Sequence, residues 1–459
     1  MNLLDDRNVR HVHCIGVGGI GVSALAEILL QRGFRVSGSD ANDSERLTYL
    51  RSLGAEVFVG HTAENVGDAD VVVYSSAIHE DNPELVRAVK NGATLVKRGR
   101  LLADIMQFYR SVAVSGTHGK TTTTAMLSHI LVSAKLDPTY FIGGIPHDAE
   151  SPVNLGSSDV FIAEADESDA SFLFIQPNIA IVTNIERDHM STYDGCENEL
   201  CQSFLHFLKH IPQGGSAVLC FDDDNIKQLL PQVSCDVMGY GVDPSAHYCI
   251  KNYVQKGLTG FASIKTPNET IDVELNTLGL HNMKNAVAAM VVAHQLGISS
   301  AKIIAALKSF SGVGRRFQSY GDITLNSKTL SIYEDYGHHP TEIRETYHAA
   351  KTAFPDRRVV LAFQPHRYSR TRDLMDEFVD VLKDVDSLIL LPTYAASEAI
   401  IEDATSDALH EQLQTQGASS QVVSQQQVEN YLSRHAEDGD VILFQGAGDV
   451  GKLARTIAS

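Results

Sequence analysis

Ser111–Thr124 reads S-V-A-V-S-G-T-H-G-K-T-T-T-T, and the order of its parts decides the fold class. A short apolar run, Val112–Val114, leads into Ser115-Gly116-Thr117-His118-Gly119-Lys120-Thr121, and a helical segment follows from Thr122 towards Ser133. Strand, Gly turn, Lys, hydroxyl and helix in that order suit a nucleoside triphosphate. Backbone N–H groups of the turn point at phosphate oxygens, and the helix N-terminus adds the positive end of its dipole. Lys120 is expected in a solvent-facing loop, as a point charge for the β- and γ-phosphates, and Thr121 as a hydroxyl for Mg²⁺. The strict P-loop pattern has Gly where Val114 stands, so Gly116–Thr121 is a shorter variant. The plainer alternative is a Gly turn ahead of a helix cap. Four consecutive Thr open a helix poorly, because β-branched side chains lose χ1 freedom there, and this favours the nucleotide reading.

Bulk properties bound the class. A chain of 459 residues suggests about three domains at roughly 150 residues each. Hydrophobic content of 43% and charged content of 20% fit a globular protein with a full core. The net charge of −20 argues against a nucleic-acid or anionic-membrane surface, so an anionic ligand has to be met by local cations, metal and helix ends. The start, MNLLDDRNVRH, has no apolar h-region, and no run of 18 apolar residues occurs; a cytoplasmic protein is expected. Cys14, Cys196, Cys201, Cys220, Cys235 and Cys249 form no CxxC pair, and reduced thiols are expected rather than disulfides or a zinc site.

Outward from the P-loop, the N-terminal third opens as a βαβ unit. His11–Ile15 reads as a strand, Gly16-Val17-Gly18-Gly19-Ile20-Gly21 as a G-x-G-x-x-G turn, Val22–Leu30 as a helix, and Phe34–Gly38 as a second strand closing at Asp40. The turn suits a diphosphate, and Asp40, about 20 residues on, fits a dinucleotide. Further strands are expected at Val57–Val59, Asp70–Tyr74 and Thr94–Val96.

Behind the P-loop, Asp159–Ala163 reads as a strand ending in Glu164–Asp169, and Ile179–Val182 as a strand ending in Thr183–His189. Carboxylates at the end of a strand beside a P-loop are placed to hold Mg²⁺, and parallel sheets bind ligands at their carboxyl ends. Strands at Ala217–Phe221, Val237–Tyr240 and Ile271–Leu275 precede Gly279–Asn285, which opens a helix over Ala286–Gln295. Its Asn side chains suit adenine, whereas a structural role would have Asn282 capping the helix. Gly312–Phe317 reads as a domain link. The last third is again α/β. Thr329–Glu334 ends in Asp335–Pro340, Arg358–Phe363 ends in Gln364–Thr371, and strands follow at Ser387–Leu391 and Val441–Phe444, the latter before Gly446–Asp449. Basic residues clustered after strands favour an anionic group such as a carboxylate.

On Gly16–Gly21, Gly116–Thr122, Glu164–Asp169, Asn184–His189, His281–Asn285, Arg315, Asp335–Glu342, His366–Thr371 and Gly446–Asp449, in this order, the whole chain resembles the Mur ligase family of peptidoglycan synthesis. It departs in detail: Val22 and Ala24 stand where Met and Gly are expected, and Ser191 where an acidic residue is common. The resemblance implies three domains. Residues 1–108 form a Rossmann-like domain for the UDP-sugar. Residues 109–316 form a P-loop ATPase domain with a mostly parallel sheet, and residues 317–459 a Rossmann-like domain for the amino acid. It implies ATP-dependent joining of L-alanine to the lactyl carboxylate of UDP-N-acetylmuramate through an acyl phosphate, with Mg²⁺ as cofactor and Mn²⁺ tolerated. Homo-oligomers are compatible with it. The implied UDP-sugar residues are Gly16, Gly18, Gly19, Gly21, Asp40, Ser75 and Ser168. Those for ATP are Gly116, Thr117, His118, Gly119, Lys120, Thr121, Thr122, His281, Asn285, Arg315 and Asp335. The metal falls to Thr121, Glu164 and His189, catalysis to Lys120, Glu164, His189 and Arg315, and the amino acid to Tyr336, His338, His366, Arg367 and Arg370. Two alternatives stand beside this: a sibling that adds a whole recycled tripeptide, and an NAD-dependent nucleotide-sugar oxidoreductase using the first Gly-rich turn.

Overall fold

In the computed structural model of the chain, Leu4 and residues 9–75 and 78–459 are described; the rest of the acidic start and positions 76–77 lie outside them. Three sheets follow one another. The first has five parallel strands: β1 (His11–Ile15), β2 (Arg35–Asp40), β3 (Glu56–Val59), β4 (Val71–Tyr74) and β5 (Thr94–Lys97), in the order β3-β2-β1-β4-β5. The order reverses between β1 and β4, and open parallel sheets bind ligands at such a switch point. The Gly-rich turn leaves β1 there, and the helix after it, Ile20–Gln31, starts two residues earlier than expected.

The second sheet is built around β6 (Arg110–Ser115). Its members are β7 (Thr139–Phe141), β8 (Val153–Asn154), β9 (Val160–Glu164), β10 (Ile179–Val182), β11 (Ser216–Cys220), β12 (Asp236–Gly241), β13 (Tyr248–Lys256), β14 (Thr259–Lys265) and β15 (Thr270–Leu275). The order is β15-β14-β13-β12-β11-β10-β6-β9-β7-β8. Strands β12 to β7 in this order run parallel; β13-β14-β15 form an antiparallel extension and β8 pairs antiparallel with β7. Val112–Val114 of β6, Val160–Ala163 of β9 and all of β10 are apolar and buried, as central strands of a parallel sheet require. Strand β13 has no buried position in its outer half, where half-buried and exposed residues alternate, and this weaker pattern hides β13 in the sequence, whereas β15 was expected at Ile271–Leu275.

The third sheet orders β16 (Gln318–Leu325), β17 (Lys328–Asp335), β18 (Val359–Phe363), β19 (Ser387–Leu390), β20 (Ser420–Val422) and β21 (Val441–Gln445) as β16-β17-β21-β18-β19-β20, parallel except for the β16-β17 hairpin. All six cysteines are free thiols, as expected.

A buried carboxylate organises the first sheet. Glu84 is fully enclosed and accepts hydrogen bonds from Ser39 Oγ (2.5 Å), Asn65 Nδ2 (2.6 Å) and Thr62 N (3.3 Å), with His61 Nδ1 at 3.4 Å and His13 Nε2 at 3.5 Å. Burial pushes its pKa up, but the bonds from His13, Ser39 and Asn65 outweigh this and hold it below the ordinary value. It ties β1, β2 and the loop after β3 together. Glu84→Ala strips all of these groups of their common partner and is expected to cost about 3 kcal/mol or more. Urea unfolding followed on the N-terminal domain should show it; an unchanged midpoint would mean that the network is not structural.

Candidate active site

The P-loop joins β6 to the helix Lys120–Ser133, and its glycines are required by geometry. Gly116 has φ +126° and lies against Thr183, whose hydroxyl a Cβ would overlap; Gly119 has φ +84°, and a Cβ there would sit 2.6 Å from Asn285 Oδ1. The end of β10 braces the loop from one side. Asn184 Oδ1 accepts from His118 N (2.8 Å), Asn184 O from Thr117 N (3.1 Å), and Thr183 Oγ1 donates to His118 O (2.5 Å). Thr117 Oγ1 accepts from Glu186 N at 2.9 Å.

Lys120 is not in a solvent-facing loop. It is the first helical residue, its side chain is 16% exposed, and Nζ donates to Gly116 O (2.7 Å) and to both Glu167 oxygens (2.7 and 2.9 Å). The reason is electrostatic. Burial lowers the Lys120 pKa, but Glu167, Asp166 and Glu164 together raise it, so the ammonium is held in place by carboxylates where phosphate would otherwise hold it. Glu167 itself is pushed up to about 7 by burial. Glu167 lies within the acidic run singled out in the sequence, but nothing there distinguishes it from Glu164.

Thr121 and Glu164 are brought together: Thr121 Oγ1 donates to Glu164 Oε2 at 3.2 Å, and Gly143 N donates to Glu164 Oε1 at 2.5 Å. A hydroxyl and a carboxylate oxygen side by side are ligands for a hard cation such as Mg²⁺. His189 follows β10 in a left-handed conformation (φ +52°). Burial lowers its pKa, which keeps a ring nitrogen available as a ligand.

Beyond the loop, a cavity of about 270 Å³ is lined by His118, Gly119, Thr122, His281, Asn285 and Asp335 among others. Asn282 does not cap the helix that follows. That helix runs Leu280–Gln295, Gly279 is its cap, and Asn282 Nδ2 donates back to Leu278 O. Arg316 lines the cavity, and Arg315 does not. Arg315 donates to Glu334 Oε1 (2.5 Å) and to Gly446 O and Gly448 O (3.2 and 3.0 Å). Asp335 is buried and accepts from Gly337 N (2.8 Å) and Phe317 N (3.0 Å), holding the link to its own sheet.

The third sheet contributes a chain of rings. Tyr336 and His338 lie 5.5 Å apart, His338 and His366 5.7 Å, and His366 stacks on Tyr394 at 5.4 Å. Burial pushes His338 down to about 3 and His366 to about 4, so both are neutral at pH 7. Arg370 reaches across to the second sheet: Nε and Nη2 donate to Asp188 at 3.0 and 3.2 Å, with both side chains nearly sealed. Arg367 is half-exposed, 3.8 Å from Glu398. A second cavity of about 460 Å³ lies here, lined by Arg187, Asp188, His189, Ser191, Arg367 and Arg370 among others. Tyr394 and Glu398 carry no motif and were missed by sequence reasoning.

In the first sheet, Asp40 Oδ2 accepts from Gly18 N at 2.9 Å, and a Cβ on Gly18 would sit 2.7 Å from that oxygen. Asp40 thus closes the turn of Gly16, Gly18 and Gly19, while Gly21 lies inside the helix beside Arg98. Ser75 follows β4, its carbonyl accepting from Ile78 N, and the Ser168 carbonyl accepts from Thr192 Oγ1 at 2.7 Å.

Three profiles of known families match the chain: the Mur ligase family catalytic domain over residues 11–110, the Mur ligase middle domain over 114–293, and the Mur ligase glutamate ligase domain over 315–448. The chain is 45% identical over 458 residues to the UDP-N-acetylmuramate–L-alanine ligase of Coxiella burnetii (strain Dugway 5J108-111), covering 99% of this chain and 98% of that one. Among solved structures it is similar to the UDP-N-acetylmuramate–alanine ligase of Thermotoga maritima (TM-score 0.76, 29% identity, 97% and 98% of the two chains). It is also similar to a murein peptide ligase of Psychrobacter arcticus 273-4 (TM-score 0.66, 25% identity, 98% of each).

The Lys120–Glu167 pair separates folding from chemistry. Lys120→Ala should cut nucleotide turnover by several orders of magnitude, as loss of a phosphate-charge stabiliser does. It should also lower the melting temperature, because Glu167 is left buried without its partner. Adding Glu167→Gln should restore the melting temperature and not the turnover. Recovery of turnover in the double variant would remove Lys120 from the chemistry.

Proposed function

The chain belongs to the Mur ligase family, and from that premise we propose how its residues divide the work. It is an ATP-dependent ligase that joins L-alanine to the lactyl carboxylate of UDP-N-acetylmuramate through an acyl phosphate, releasing ADP and phosphate, in peptidoglycan precursor synthesis. The similarity to a UDP-N-acetylmuramate–L-alanine ligase supports this reading over the oxidoreductase reading of the first Gly-rich turn.

The observation that carries the division of roles is the Arg370–Asp188 contact. It sets the ring cluster of the third sheet beside His189, at the end of a strand next to the P-loop. Residues 1–108 hold the UDP-sugar, with the diphosphate over Gly16, Gly18, Gly19 and Gly21, Asp40 bracing that turn, and Ser75 and Ser168 facing the sugar. Residues 109–316 hold ATP, and residues 317–459 hold alanine. Gly116–Gly119 offer backbone N–H groups to the phosphates, with Lys120, Thr121 and Thr122 opening the helix behind them. His281 and Asn285 meet the adenine. Asp335 orients its loop against the cavity. Arg315 stiffens the Gly446–Gly448 turn, and its neighbour Arg316 is the cation that faces the nucleotide.

Mur ligases are ATP-dependent and generally use Mg²⁺. Thr121 and Glu164 fit one such ion and His189 a second, with Mn²⁺ tolerated at the same ligands. A bound cation there supplies charge neutralisation for the phosphoryl group in flight. Lys120 leaves Glu167 to bind the transferring phosphoryl oxygens. The lactyl carboxylate displaces ADP from it, and the alanine amine then displaces phosphate from the acyl carbon. His338 and His366, held neutral, back Arg370, whose Nη1 lies 3.3 Å from His366 Nδ1, without adding charge beside the second cavity. Arg367, half-exposed and only 3.8 Å from Glu398, is the guanidinium that grips the alanine carboxylate, since Arg370 is committed to Asp188. Tyr336 closes the side-chain end. No helix among the described residues is long and apolar enough to cross a membrane, and water-soluble nucleotide substrates favour a cytoplasmic setting.

These roles predict two kinds of kinetic change. Arg367→Ala should raise KM for L-alanine about 10- to 100-fold, the loss of a charged hydrogen bond worth roughly 1.5–3 kcal/mol, with KM for ATP nearly unchanged. Arg370→Ala should lower kcat as well, because Asp188 loses its counter-charge. Phosphate release with UDP-N-acetylmuramate and ATP should be faster with L-alanine than with L-Ala-γ-D-Glu-diaminopimelate. It should be only modestly faster than with glycine, since one methyl is worth about 1–3 kcal/mol. A higher kcat/KM for the tripeptide would move the chain to the tripeptide-adding branch.

A further inference from the structure

We propose that His118, Glu186 and His339 form a site for one borderline-soft divalent cation of the Zn²⁺ or Co²⁺ class, distinct from the oxygen-rich Mg²⁺ positions. One ligand atom from each of the three lies within 4.8 Å of the others. Glu186 Oε2 is 3.6 Å from His118 Nε2 and 3.7 Å from His339 Nδ1. Bonds of about 2.0–2.1 Å at tetrahedral angles put ligand atoms roughly 3.3 Å apart, so a contraction of a few tenths of an ångström closes these two edges. The two ring centroids lie 4.6 Å apart, with the ring planes tilted by 44°.

The orientation of each imidazole is already that of a ligand. His339 Nε2 lies 3.2 Å from Arg187 O and donates there, which leaves the Nδ1 lone pair on the side of Glu186. Among the described residues, the helix-capping bond from Thr341 N, 3.3 Å long, competes for it. His118 Nδ1 lies 3.5 Å from Glu342 Oε1, a carboxylate placed to take its proton, and this leaves Nε2 for the cation. His118 Nε2 is buried and has no hydrogen-bond partner among the described residues. A ligating His that donates its other nitrogen to a carboxylate or a carbonyl is the usual outer shell of a zinc site, and both are present here. Two imidazoles and one carboxylate select a borderline cation over Mg²⁺, which prefers oxygen and retains its water.

Without a cation a proton takes the place. Burial opposes charge on His118, but Glu342 and Glu186 override it and raise its pKa to about 10. His339 is kept neutral, its pKa pushed down to about 4 by burial and by His118. Binding therefore expels the His118 proton and uses His339 as it stands. His118 and Glu186 belong to the second sheet and His339 to the third, so the cation fastens the two together on the wall of the nucleotide cavity.

The test is a Co²⁺ titration of the full chain in excess Mg²⁺ without nucleotide, followed by visible absorption. The expected result is an intense band of four-coordinate Co²⁺ that saturates at one equivalent and is displaced by Zn²⁺. His339→Gln and His118→Gln should each lower the affinity by more than the roughly 10- to 100-fold that loss of a supporting partner costs. His189→Gln should keep the band. Circular dichroism checks that each variant is folded. If either is not, the wild-type titration and the rise in melting temperature at one equivalent of Zn²⁺ decide the matter. Only the weak spectrum of six-coordinate Co²⁺, or a band that survives in both folded variants, would overturn the proposal.

Discussion

Asp188 and Arg370 meet across two sheets at 3.0 and 3.2 Å, each only about 5% exposed, and neither charge is tolerable there without the other. Burial alone would protonate Asp188; the guanidinium of Arg370 reverses this and holds the carboxyl well below its usual range. Removing one member of such a pair costs about 3–5 kcal/mol, most of it the cost of the charge left behind. The pair therefore fixes how the third sheet sits on the second. It also commits Arg370, one of three guanidiniums that follow β18, to Asp188, and leaves Arg367 half-exposed.

The same docking explains the crowd of charges around it. Two residues before Asp188, Glu186 accepts from Thr341 Oγ1 at 2.5 Å, and the helix Pro340–Ala353 is capped by His339 with Glu342 closing the capping box. His118 of the P-loop sits between these two carboxylates. The P-loop is thus held by side chains from both sheets, and its shape depends on their being together. The packing of the third sheet on the second and the geometry of the loop are therefore coupled.

Much of this was legible in the sequence. Apolar β-prone runs followed by polar clusters mark central parallel strands and their carboxyl ends, where such sheets bind ligands, and the Gly-Lys-Thr turn names the ligand. What was not legible is which of two neighbouring residues of like chemistry faces inward. Arg315 has φ +63° and Arg367 φ +69°, and these left-handed turns send Arg315 to Glu334 and leave Arg316 in the cavity. In the same way Glu167, not Glu164, took Lys120, and Arg370, not Arg367, took Asp188. Side-chain direction in a strand-end loop is set by backbone twist and by partners from distant sequence, neither of which a local pattern carries. The short strands β7, β8 and β20 and the strands β13, β14 and β16 escaped because they are brief or half-solvated, whereas β15 was expected at Ile271–Leu275.

The acyl phosphate is the point at which ATP, the sugar carboxylate and alanine must share one site. It is tested most directly by oxygen transfer. UDP-N-acetylmuramate carrying ¹⁸O in both lactyl carboxylate oxygens is turned over with ATP, Mg²⁺ and L-alanine, and the phosphate and amide products are weighed by mass spectrometry. One ¹⁸O in the inorganic phosphate and one in the amide is the result this account predicts. Unlabelled phosphate, with the label recovered in AMP or retained in full by the sugar nucleotide, would contradict it.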